Sequence, residues 1–121
     1  MPQLIEPPNS VVLLVGREEF SPPSSFSGQT CAATSDCIAI GVVSAADSPT
    51  TVTLGPSPAS GELTVLAQHV IETEGLVSLR DVYSREYETM GSPAGHALVT
   101  VWGNDPAEPS ELVIQVAEHH P

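Results

Sequence analysis

Leu63-Thr64-Val65-Leu66-Ala67-Gln68-His69-Val70-Ile71-Glu72-Thr73, then Glu74-Gly75, then Leu76-Val77-Ser78-Leu79-Arg80-Asp81-Val82, is the stretch on which the fold class turns. Side chains alternate across a strand, so Leu63, Val65, Ala67, His69 and Ile71 share one face of a strand running from about Glu62 to Thr73. Glu74-Gly75 is a tight hairpin turn in which the glycine supplies a positive φ. A partner strand follows from Leu76 to about Tyr87, with Val77, Leu79 and Tyr83 alternating. If Thr73 pairs with Leu76, His69 falls opposite Arg80. A cation there disfavours a second one, so this register predicts a neutral imidazole.

The same punctuation extends outward in both directions. Val11–Val15 is a short apolar run ended by Gly16. The stretch 21–30 is rich in Ser and Pro, and reads as a long surface loop too polar for the core. Cys37–Val43 is almost continuously apolar, as a strand covered on both faces must be. Thr50–Leu54 alternates β-branched residues. His96–Trp102 and Glu111–Ala117 complete the set, with Leu112, Ile114 and Val116 facing inward. Gly/Pro loops at Gly55–Gly61, Met90–Gly95 and Gly103–Pro106 separate them. About seven strands at this spacing predict a single domain over residues 1–121: an antiparallel β-sandwich or small barrel. At most one short helix fits, near Phe20 or in Ser84–Met90.

Charge bounds the function. The chain has fifteen acidic residues, three arginines and no lysine, for a formal charge of -12. Binding to phosphates requires cations that displace counterions, and Arg17, Arg80 and Arg85 make no basic stripe. Nucleic acid and anionic membrane surfaces are therefore not expected partners. A basic protein is, because an acidic surface attracts it over distance and docks it fast. Acidity also serves solubility alone. No apolar window approaches the length of a membrane span, and Met1–Pro8 does not read as a secretory signal, so a cytoplasmic location is expected. The terminal His119-His120-Pro121 reads as a frayed tail.

Candidate chemistry is sparse. Cys31 and Cys37 read as free thiols in a reducing cytosol, with a short disulfide or a zinc site shared with His69, His96 or His119 as alternatives. The pairs Glu18/Glu19, Glu72/Glu74 and Glu86/Glu88 can bind a cation or act as acid and base, but such pairs more often solvate a face. No nucleophile motif, phosphate cradle or metal-ligand spacing is present, so no enzyme activity, metal or cofactor is expected. Trp102 lies on the strand face opposite Ala97, Val99 and Val101 and precedes an acidic loop with Asp105, Glu108 and Glu111. It is either core filler or an aromatic anchor ringed by carboxylates.

From Glu72 to Val116 the order of elements resembles the competence-associated nuclease-inhibitor (ComJ-type) proteins. The elements concerned are a strand ending in Glu72-Thr73-Glu74-Gly75, the strand Leu76–Val82, and Ser84-Arg85. The loop Pro93-Ala94-Gly95 then leads to a strand ending in Trp102, and an acidic, proline-containing loop precedes the last strand. The resemblance implies a sandwich fold and an acidic inhibitor of a basic nuclease.

Three function classes follow. The first is an acidic module that docks or inhibits a basic protein, with Trp102, Asp105, Glu108, Glu111, Glu72 and Glu74 as partner-binding residues. The second is a structural or cement subunit of a larger assembly. The third is a small-ligand binder or enzyme using His69 and nearby carboxylates.

Overall fold

A computed structural model describes residues 3–26, 28–59 and 61–118. Among the described residues ten strands form: β1 (Gln3–Ile5), β2 (Val11–Val15), β3 (Cys31–Ala33), β4 (Cys37–Gly41), β5 (Thr50–Gly55), β6 (Thr64–Thr73), β7 (Leu76–Asp81), β8 (Glu86–Gly91), β9 (Gly95–Gly103) and β10 (Glu111–Glu118). They build two five-stranded sheets, ordered β1-β5-β10-β9-β6 and β3-β4-β2-β7-β8. The two sheets make a sandwich, and the barrel alternative falls. The pairing is antiparallel except between β5 and β10, which run parallel with Leu112 beside Val52. The only helical turn among the described residues is Pro8–Ser10, within the expected limit of one short helix and at neither of the two positions where one would fit. No described helix is long and apolar enough to cross a membrane. His119, His120 and Pro121 lie outside the described residues.

The core forms where the inner faces meet. Val12, Leu14, Ile38, Ile40, Val77 and Leu79 of one sheet pack on Val52, Ile71, Val99, Val101, Leu112 and Ile114 of the other. The continuous apolarity of β4 has its predicted meaning. Ile38 and Ile40 enter the main core, while Cys37 and Ala39 point the other way, joining Leu13 and Val15 in a second cluster. Phe20 and Phe26 lie on that cluster. The described part of the 21–30 stretch is thus a loop, but not merely a polar one: its Phe26, with Phe20 just before it, lies over the sheet's outer face.

The decisive stretch differs from its sequence reading in three ways. First, β6 and β7 do not form a hairpin. Glu74-Gly75 carries the chain from one sheet to the other, with Gly75 at φ 105. Consequently His69 pairs with Val99, and Arg80 pairs with Leu13 and Glu86; the two never face each other. The physical reason is burial: both strands carry apolar inner faces, which one hairpin in one sheet would stack side by side, whereas two sheets press them together. Second, the register of β6 slips between Val65 and Ala67. A bulge puts two residues opposite one and flips the alternation. Val65 therefore faces solvent, 51 % exposed, while Leu66 joins Ala67 against the core. Third, the expected strand from Leu76 to Tyr87 breaks at Asp81. Its buried carboxylate Oδ1 accepts the backbone N–H groups of Tyr83 (2.8 Å) and Arg85 (2.9 Å), folding the chain into a tight turn. Tyr83 is left 74 % exposed at the tip.

Candidate functional site

The alternation of β9 places Ala97, Val99 and Val101 in the core and Leu98, Thr100 and Trp102 on the outer face of the first sheet. Cross-strand register then fills in the neighbours. Trp102 lies between Val65 of β6 and Val113 of β10, and Val113 abuts Thr53 of β5. One pair further along, Gln68 donates its side-chain amide to Thr100 Oγ1 at 2.9 Å, with Gln115 on the other side. Beyond them Leu98 sits between Val70 and Ala117. Leu4 stands at the far edge of the sheet, 66 % exposed. None of these apolar side chains belongs to either buried cluster. Trp102 is thus neither core filler nor free: its ring is half-buried among the outer-face residues, and its Nε1–H is buried without an acceptor among the described residues.

The acidic loop joins β9 to β10 at the Trp102 end. Two side chains hold it. Asn104 Oδ1 accepts the N–H groups of Ser110 (3.0 Å) and Glu111 (3.1 Å). Asp105 Oδ1 accepts those of Ala107 (2.8 Å) and Glu108 (2.9 Å). The Glu108 and then the Ala107 N–H hold the Asp105 carboxyl below its ordinary 3.8. The carboxylates of Glu108 and Glu111 stay exposed. Thr30 Oγ1 bonds the Pro106 carbonyl and ties the loop to the other sheet.

Glu72 and Glu74 stand elsewhere. Along β6, Val65 marks the Trp102 end and Glu72 lies seven residues on, roughly 20 Å away at the usual strand rise. Glu72 meets Arg17 at 3.6 Å, and Glu74 accepts the Glu18 N–H at 3.2 Å. The six expected partner-binding residues therefore divide into a Trp102 group of four and a corner pair. That division follows from the length of β6, which spacing alone does not reveal.

His69 is half-buried and lines two grooves beside β3, one with Gln29, Thr30 and Gln68, the other with Phe26 and Thr34; no described carboxylate lines either. The described residues contain no group of three His, Cys, Asp or Glu side chains placed to hold a metal. Cys31 and Cys37 are both free and buried, one in the main core and the other in the second cluster. A disulfide between opposite faces of a sheet is geometrically excluded. The feature that sequence reasoning missed is the apolar row around Trp102. Val65 was assigned inward, and only the bulge brings it beside the indole.

No family model and no curated protein matches the chain. Among solved structures, the crystal structure of ComJ from Bacillus subtilis, described as an inhibitor of the DNA degrading activity of NucA, is similar at a TM-score of 0.73 with 11% sequence identity, covering 98% of this chain and 96% of that one. The resemblance that the sequence carries from Glu72 to Val116 thus extends, as a fold, across nearly the whole chain, including the amino-terminal half where no sequence similarity was evident.

Proposed function

We propose that this chain is a non-catalytic, protein-binding inhibitor that docks a basic DNA-degrading nuclease on the outer face of its first sheet. The observation that carries the reading is the uncovered row Val65–Trp102–Val113 beside the loop of Asp105, Glu108 and Glu111. An apolar, aromatic centre with a charged rim is the anatomy of a protein interface. The net charge of -12 supplies attraction for a basic partner. The shared fold with ComJ, an inhibitor of a nuclease, points to the class of partner. Glu72 and Glu74 extend the acidic rim to the other end of β6. The reading places the protein in the cytoplasm, away from nucleic acid and membrane, with two free thiols in keeping with a reducing compartment.

The test is a DNA-degradation assay with the basic nucleases of the source organism, each with and without the purified protein at low and high salt. Stoichiometric inhibition of one of them, weakened by salt and by Trp102→Ala, is the expected result. If every nuclease retains full activity at saturating protein, the reading fails.

A further inference from the structure

We propose that the free edge of β6 accepts an extended segment of a partner protein as an added strand, one whose ends carry basic residues. Four observations converge on it. β6 is the longest strand among the described residues, ten residues, and it forms an edge of its sheet. From Leu63 to Ile71 it carries no charge, in a chain where fifteen residues are acidic. Edge strands are ordinarily guarded by charge, proline or brevity. The other edges are so guarded: β1 and β3 are three residues each, and β8 carries Glu86 and Glu88.

The direction of the backbone groups is fixed by the register. Glu72 donates its N–H away from β9, to Ser35 O at 2.7 Å. In an antiparallel pair the residues bonded to the neighbour alternate with those that are not. Gln68 and Val70 share the parity of Glu72, so their N–H and C=O groups also point outward. Past the bulge, Val65 opposite Trp102 does the same. Ser35 closes the Glu72 end, while no described residue bonds the outward backbone groups of Gln68, Val70 or Val65. Alongside β6 from Thr64 to His69 runs a groove of about 540 Å³, bounded on its other side by Gly28–Cys31. Strand addition at such an edge draws affinity from main-chain hydrogen bonds.

Charge selects the occupant. Exposed Glu62 flanks the uncharged stretch at one end; at the other stand Glu72 and exposed Glu74, two carboxylates of which Arg17 offsets one at 3.6 Å. A second copy would lay one β6 antiparallel on another and bring carboxylates at both ends together, which is destabilising. A segment with basic ends meets those carboxylates instead. This inference is independent of what the outer face binds.

The probe is the blocked heptapeptide Arg-Val-Thr-Val-Thr-Val-Arg, with a Glu-ended counterpart as control, followed by residue-resolved amide hydrogen exchange. The Gln68 and Val70 amides are expected to slow by roughly tenfold or more at saturating Arg-ended peptide, since an added strand must open before they exchange. Val70→Pro removes one outward N–H that no described residue accepts, and should abolish the slowing at Gln68; Val70→Ala should retain it. Absence of slowing in the wild type, equal slowing at β1, β3 and β8, or equal binding of the Glu-ended peptide overturns the proposal. So does concentration-dependent protection of Gln68 and Val70 without peptide, accompanied by a doubled mass, which would assign the edge to a second copy. No nuclease enters the experiment, so its failure and that of the inhibitor reading are separately visible.

Discussion

Cys31 and Cys37 show how much one residue's face matters. Both thiols are buried, and burial pushes Cys31 up to about 11 and Cys37, with the Asp36 charge adding to it, up to about 12, from an ordinary 9.0. A raised pKa means that the folded state favours the protonated thiol. That contribution is complete below pH 9.0 and is lost as pH climbs through 11 and 12, so the protein is expected to lose stability on the alkaline side. At pH 8 a thiol-specific reagent should label neither cysteine until the protein unfolds, and rapid labelling of the native state would refute the assigned burial. Trp102 invites a second test. Its Nε1–H is buried without an acceptor among the described residues, a situation that costs roughly 1–3 kcal/mol relative to a satisfied or absent donor. Trp102→Phe removes the donor and keeps an aromatic ring. Thermal or urea unfolding should find it as stable as the wild type or more so. Trp102→Ala should lose less stability than a core truncation, because the ring lies outside the main cluster.

At the scale of elements, the Glu74-Gly75 corner carries the topology. Here the end of β2 passes so close to β6 that a Cβ on Gly16 would lie 2.2 Å from the Glu72 carbonyl oxygen. Backbone cannot retreat as a flexible side chain does, so Gly16→Ala should cost at least the 1–3 kcal/mol typical of overpacking; unfolding midpoints unchanged from wild type would contradict the close approach. The acidic loop offers a pH test. The Asp105 carboxyl is depressed by two backbone N–H groups, so its contribution to loop order is present above its ordinary 3.8 and fades as pH falls below that. Amide exchange at Ala107 and Glu108 should accelerate in that window, and Asp105→Asn should abolish the pH dependence. These elements also mark what a sequence can disclose. The inward set of β10 was legible because the strand keeps strict alternation, and so was β4 because both its faces are covered; in β9 alternation separated Trp102 from Ala97, Val99 and Val101 without saying which face is the core. The parity of Val65 was not, because a bulge leaves no composition of its own. The break at Asp81 rests on a side chain folding back on its own turn, within a run whose apolar pattern continues. The β6–β7 connection was misread because the same Glu-Gly turn serves a hairpin or a sheet-to-sheet corner, and only the burial of both inner faces decides. For the site, Trp102 and its loop were readable as neighbours in the chain, whereas the distance to Glu72 and Glu74 depends on tertiary structure.

For the molecule as a whole, the charge of -12 acts in two directions at once. The three arginines are engaged locally: Arg17 with Glu72, Arg80 with Glu18 and the Phe20 ring, Arg85 over the Tyr87 ring. What remains is an unbalanced acidic field that repels itself within the folded chain and would attract a basic protein such as the partner proposed above. Salt screens both, over a Debye length of about 10 Å at 0.1 M. Added salt should therefore raise the unfolding temperature of the isolated protein while slowing its association with the proposed nuclease partner. Neutralising Asp105, Glu108 and Glu111 together by amide substitution should slow association at low salt by about tenfold, converge with the wild type at high salt, and leave dissociation nearly unchanged, as rim charges do. Trp102→Ala should do the reverse, raising the dissociation rate with little effect on encounter. Stopped-flow association at several ionic strengths, paired with thermal melts of each variant, separates these effects. Association rates indifferent to salt and to the triple substitution would remove the electrostatic part of the account and leave only the apolar row around Trp102 to explain binding.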